Sequence, residues 1–144
     1  MRPRALIAAL AAVLLAAAGC SSSAAPAPSR TLDASLSEFK ITANTAKLAA
    51  GQVTFAISNK GSIAHEFVIV RTELSSDALP KAPDGGVDEE ASDVAHVDEA
   101  EDIDPGATTT LTETLAPGKY VFFCNLPGHF AGGMRGSFEV VSTS

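Results

Sequence analysis

The sequence predicts an all-β protein, a two-sheet antiparallel sandwich. Three observations point there: short runs that alternate with period two, turn residues (Gly, Pro, Asn) between them, and no stretch with a convincing helical period. Leu36-Ser37-Glu38-Phe39-Lys40-Ile41 is the first such run, and Val53-Thr54-Phe55-Ala56-Ile57 follows Gly51. Phe67 to Val70 is mostly apolar and comes after Asn59, Gly61 and His65. A short strand is expected at Val94 to Val97. Thr108 to Leu115 interleaves threonines with Leu111 and Leu115, Tyr120 to Cys124 is apolar and aromatic behind the turn Pro117-Gly118, and Phe138-Glu139-Val140 closes the chain. Six or seven strands in about 110 residues suit a sandwich. A single helical turn is expected around Ser75 to Leu79, stopped by Pro80. Residues 81–93 (KAPDGGVDEEASD) carry almost no large apolar side chains and read as a long mobile loop, the centre of an acidic insertion over about 77–104.

The chain has 144 residues, enough for one compact domain. Residues 1–19 read as a signal peptide: Arg2 and Arg4 give a positive start, and Ala5 to Ala18 form an apolar run of 14 residues, too short to span a bilayer. Ala17-Ala18-Gly19 before Cys20 resembles a bacterial lipoprotein box, with Ala17 where that box usually carries Leu. The resemblance implies cleavage before Cys20, lipidation of Cys20, and a domain held by a lipid anchor on the outer side of the bacterial cell membrane. Residues 20–30, mostly Ser, Ala and Pro, read as a flexible tether, and 31–144 as the folded domain.

The formal charge is −7, and loss of Arg2 and Arg4 with residues 1–19 would take it to −9. Such a domain has no basic surface for phosphate contacts, which excludes nucleic acid as a partner. The same charge suits docking on a basic protein or simply keeps the domain soluble. There are two cysteines. With Cys20 lipidated, Cys124 is left without a disulfide partner in an oxidising compartment, where a bound metal is its natural occupant.

Cys124-Asn125-Leu126-Pro127-Gly128-His129, followed by Phe130, Gly132-Gly133 and Met134, carries the chemistry. Cys124 ends a strand, Pro127-Gly128 turn the chain, and Gly132-Gly133 allow a second turn. One loop therefore points a thiolate, an imidazole and a thioether at one spot. Taken singly, Cys124 is a small buried hydrophobe, Met134 core filler and His65 a polar residue opening a strand. Taken together, two His and one Cys with a distant Met form the trigonal donor set of blue-copper centres, acceptable to Cu(I) and Cu(II) alike.

This segment resembles the C-terminal metal loop of the cupredoxins, in their azurin, auracyanin, rusticyanin and sulfocyanin types. The five-residue step from His129 to Met134 is closer to rusticyanin than to azurin. Asn59-Lys60-Gly61-Ser62-Ile63-Ala64-His65-Glu66-Phe67 resembles the segment that supplies the other His, so the resemblance spans roughly 33–142. It implies a cupredoxin-like Greek-key sandwich and one type 1 copper ion held by His65, Cys124, His129 and Met134. It also implies a monomeric one-electron carrier between redox proteins (an oxidase, reductase or dehydrogenase), with an apolar docking patch of Leu126, Pro127, Phe130 and Met134. Glu66 stands where better-known members carry Asn or Ser. Either a hydrogen bond from Asn125 to Glu66 joins the two ligand segments and tunes the metal, or Glu66 is a solvated edge residue.

Two other functions compete. One is extracytoplasmic copper handling, as chaperone, buffer or resistance protein, which demands that copper be given up. The other is an enzyme with Cys124 as nucleophile and His129 as base; no third group is placed to orient His129, so the chain is read as no enzyme. Zinc would leave Met134 unused. His96, with Asp98, Glu99, Glu101 and Asp102 near it in sequence, is an exposed His in an acidic loop or an accessory metal site, the former being the commoner case.

Overall fold

The computed structural model describes residues 27–143. The signal segment, Cys20 and most of the tether lie outside that range. Nine strands run β1 (Thr31–Ser37), β2 (Lys40–Ala43), β3 (Lys47–Ala49), β4 (Gly51–Asn59), β5 (His65–Arg71), β6 (Ala95–Ile103), β7 (Thr108–Leu115), β8 (Gly118–Phe123) and β9 (Arg135–Val141), with the short helix α1 (His129–Gly132) before the last. They form two sheets, β2-β1-β4-β7 and β3-β9-β8-β5-β6.

The sandwich is the one expected, with two differences in pairing. β1 runs parallel to β4 and β3 parallel to β9, so both sheets are mixed rather than purely antiparallel. Both pairs join strands separated by other elements in the chain. Only neighbours joined by a tight turn are constrained to run antiparallel. The tether is also shorter than expected. Ser29 bridges to Leu48, and the Arg30 carbonyl accepts from Thr54 N–H, because main-chain pairing needs no apolar side chain.

The run Leu36 to Ile41 is a hairpin rather than one strand. Leu36 pairs with Ile41 and Ser37 with Lys40, leaving Glu38 and Phe39 at the tip. Phe39 adopts φ 60, a left-handed conformation costly for a bulky side chain. A residue spacing of five between two inward apolar side chains breaks period two, and the tip restores the phase.

Alternating residues fill the space between the sheets: Leu32 and Leu36 from β1, Val53, Phe55 and Ile57 from β4, Phe67 and Ile69 from β5, Tyr120 and Phe122 from β8, Phe138 and Val140 from β9. Each such burial stabilises by about 1.5–3 kcal/mol relative to exposure. Phe55 meets Phe138 edge-on, and Phe67 stacks on Phe122.

A second apolar cluster lies on the outer face of the larger sheet. Val68, Val70, Val121 and Phe123 are covered there by Leu79, Val87 and Val94 of the insertion and by Phe130. The segment expected to be a mobile loop is thus packed, with an isolated bridge between Lys81 and Val87 and the Ser75–Leu79 stretch in turns. Three apolar side chains suffice to seat it. Its C-terminal part extends into β6, nine residues long instead of four. This is an edge strand whose acidic side chains face water while Ala100 and Ile103 face in.

Candidate metal centre

All four expected ligands gather at one end of the sandwich, three of them near the ends of strands in the larger sheet. His65 opens β5, Cys124 directly follows β8, His129 opens α1, and Met134 immediately precedes β9. The Cys124 N–H donates to the Met134 carbonyl at 3.0 Å, so the loop closes on itself, and Met134 N–H donates to the His129 carbonyl at 3.0 Å. Gly128 (φ 81) and Gly133 (φ 118) bracket α1 in left-handed conformations that an L side chain resists.

Three donor atoms converge. His65 Nδ1 lies 3.3 Å from His129 Nδ1, and Cys124 Sγ lies 3.2 Å from His129 Nδ1. His65, Cys124 and Met134 are fully buried and His129 nearly so. Two imidazole nitrogens and a thiol meeting away from water are poor partners for one another and good ones for a shared soft-to-borderline cation. Burial pushes the Cys124 thiol up, against the N–H groups of Glu66 and Leu126. Burial, then the neighbouring His129, pushes His65 down, keeping its imidazole neutral. Among the described residues His65 Nε2 has no hydrogen-bond partner. The site therefore offers a neutral imidazole at His65, and a cation displaces the thiol proton on binding.

The surroundings fix these ligands. Glu66 N–H donates to Cys124 Sγ at 3.4 Å, and Asn125 N–H donates to Glu66 Oε1 at 2.5 Å. The expected Asn125–Glu66 bond is thus present, donated by the main chain. The Asn125 side chain turns to the insertion instead: its Oδ1 accepts from Val87 N–H at 2.6 Å, and its Nδ2 donates to the Val87 carbonyl and to Glu89 Oε1. Arg135 Nε donates to Asp77 at 2.7 Å and Nη1 to the Phe130 carbonyl at 2.6 Å. Burial pushes the Glu66 carboxyl up, opposed by Asn125 N–H and reinforced by Glu89, Glu99 and Glu101.

The docking patch needs correction. Phe130 is 2% exposed and Met134 0%, because Phe130 packs edge-on against Phe123 in the outer cluster with Arg135 over its ring. Pro127 is exposed and Leu126 half-buried. Among the described residues the large hydrophobic side chains that are exposed are Phe39 and Ile63, at 54% and 43%. The Phe39 ring meets His129 edge-on at 5.9 Å and leaves no room for a Cβ on Gly132. Glu38, beside it, accepts from Ser62 N–H and Oγ–H, tying the hairpin tip to the loop that carries Ile63. The Ser62 N–H, then Glu38's own N–H and the Ser62 hydroxyl, hold the Glu38 carboxyl down at about 2.

A cupredoxin-like domain model matches residues 8–134. The chain belongs to the cupredoxin-like family. Among solved structures, this cupredoxin is similar to dithionite-reduced auracyanin from Roseiflexus castenholzii, at 25% identity over 79% of this chain and 98% of that one, TM-score 0.57. It shares its fold with auracyanin B (19% identity, 82% and 93% covered, TM-score 0.53) and with rusticyanin from Thiobacillus ferrooxidans (20%, 78% and 78%, 0.53). No curated protein matches the sequence.

Proposed function

We propose that this cupredoxin is a one-electron carrier in which His65 Nδ1, Cys124 Sγ and His129 Nδ1 hold one type 1 copper ion, with Met134 as the fourth ligand. The convergence of those three donor atoms in a buried pocket supports the reading. Copper there supplies a Cu(I)/Cu(II) couple. The chain's residues supply the rest. His65 and Cys124 are positioned by the ends of paired strands, so they keep one arrangement whichever charge they surround. Their burial excludes water and favours holding the metal over handing it on, which argues against the copper-handling alternative. His129, the least buried of the four, meets the exposed Phe39 ring edge-on. Electrons would pass there to a redox protein docked on Phe39, Ile63, Leu126 and Pro127.

An anchor at Cys20 and an extracytoplasmic location belong to the same proposal, supported by the signal-like residues 1–19 and the box ending at Cys20. Copper-loaded protein should show an intense visible band that ascorbate bleaches reversibly, and Cys124→Ser should abolish it. Persistence of the band in that variant would overturn the ligand assignment. Labelling of the whole chain with a radioactive fatty acid in a bacterial host, lost in Cys20→Ala, tests the anchor.

A further inference from the structure

We infer that Glu89, His96 and Glu99 form a second metal site, for a divalent first-row cation of the zinc class, on the outer face of the larger sheet. His96 Nε2 lies 3.9 Å from Glu89 Oε2 and 3.8 Å from Glu99 Oε2, and the three ligand atoms all lie within 4.8 Å of one another. One imidazole nitrogen and two carboxylate oxygens suit Zn2+, with water completing its shell.

The arrangement is built by the fold. In a regular strand His96 and Glu99, three apart, would face opposite ways. β6 carries a bulge between them: Val70 pairs with His96 and Ile69 with Asp98, leaving Val97 as the extra residue. Glu99 pairs with Val68, so His96 and Glu99 both sit opposite residues of the outer cluster. That face is the one the insertion covers, and the insertion supplies Glu89. Glu89 is held as well: its Oε1 accepts from Asn125 Nδ2 at 2.8 Å, which leaves Oε2 towards His96. Among the described residues no Lys or Arg forms an ion pair with Glu89 or Glu99, which leaves both carboxylates free of a competing side-chain cation.

The site goes beyond the copper reading and stands without it. Its hydrogen-bonded link to the inner centre is Glu89–Asn125, one residue after Cys124, so occupancy at the outer site pulls on the ligand loop through that bond. The decisive experiment adds Zn2+ to the copper-loaded, ascorbate-reduced protein and follows the His96 ring and the Asn125 amide by NMR, with calorimetry for stoichiometry. One equivalent should bind at sub-millimolar concentration with shifts at His96, Glu89 and Asn125, and His96→Ala should weaken binding by about tenfold or more. Glu99→Gln should weaken it too. Unsaturable binding, or binding unchanged in His96→Ala, would overturn the site and leave His96 as an exposed neighbour of the two glutamates. Should copper not load, zinc entering the inner site reports at His65 and His129, so the two readings fail separately.

Discussion

The Asn125 main-chain N–H and the Glu66 carboxylate meet at 2.5 Å and tie the strand end bearing Cys124 to the strand start bearing His65. A carboxylate in this place adds negative charge beside the ligands, and burial pushes its titration above the ordinary 4.5. Negative charge favours the more highly charged oxidised ion. Protonation of Glu66 on acidification should therefore raise the reduction potential. In Glu66→Gln, which keeps an acceptor for Asn125, the potential should be higher and its pH slope absent. Voltammetry across the acid range checks this, and the same slope in both proteins would remove Glu66 from the account.

Phe39 holds a left-handed conformation at φ 60. Glycine bears no penalty there, whereas alanine keeps the clash between Cβ and the following carbonyl. Phe39→Gly should be more stable than Phe39→Ala by about 1 kcal/mol, the reverse of the ordinary order. Urea unfolding of the copper-free variants measures the difference. Alanine as stable as glycine would mean that the tip is not left-handed.

Glu38 gives a prediction in the acid range. Its carboxyl is held down at about 2 by Ser62 against an ordinary 4.5. A depressed carboxylate contributes stability that is complete above 4.5 and is lost as pH falls towards about 2. Amide-exchange protection of Ser62 should fall within that window, and Glu38→Gln should lack the step. A Glu38 side chain titrating at the ordinary value would contradict the tether.

The insertion is fastened by Leu79, Val87 and Val94. Leu79→Ala should destabilise the fold by about 2–4 kcal/mol, read from denaturant midpoints. A mobile loop would register almost nothing.

Much of this was legible in the residues. Period two located the central strands, and the Cys124–Met134 loop with His65 named the ligand set. What escaped had physical reasons. β6 is acidic because an edge strand can face water, so its composition imitates a loop. The packed insertion was signalled indirectly: Phe67 to Val70 and Tyr120 to Cys124 are apolar without alternation, which in a sheet means both faces are covered. Phe39 was hidden by a two-residue turn without glycine, the residue that usually marks one. Phe130 reads as surface from its place in the loop, and only the outer cluster reveals its burial.

β1 runs from Thr31 to Ser37 and delivers the chain to Phe39, against His129. Seven extended residues separate the chain's entry from the ligand end by roughly 20 Å. The polypeptide thus enters at the pole opposite the metal pole. A molecule leashed to any surface through its leading residues stands with the ligand end outward.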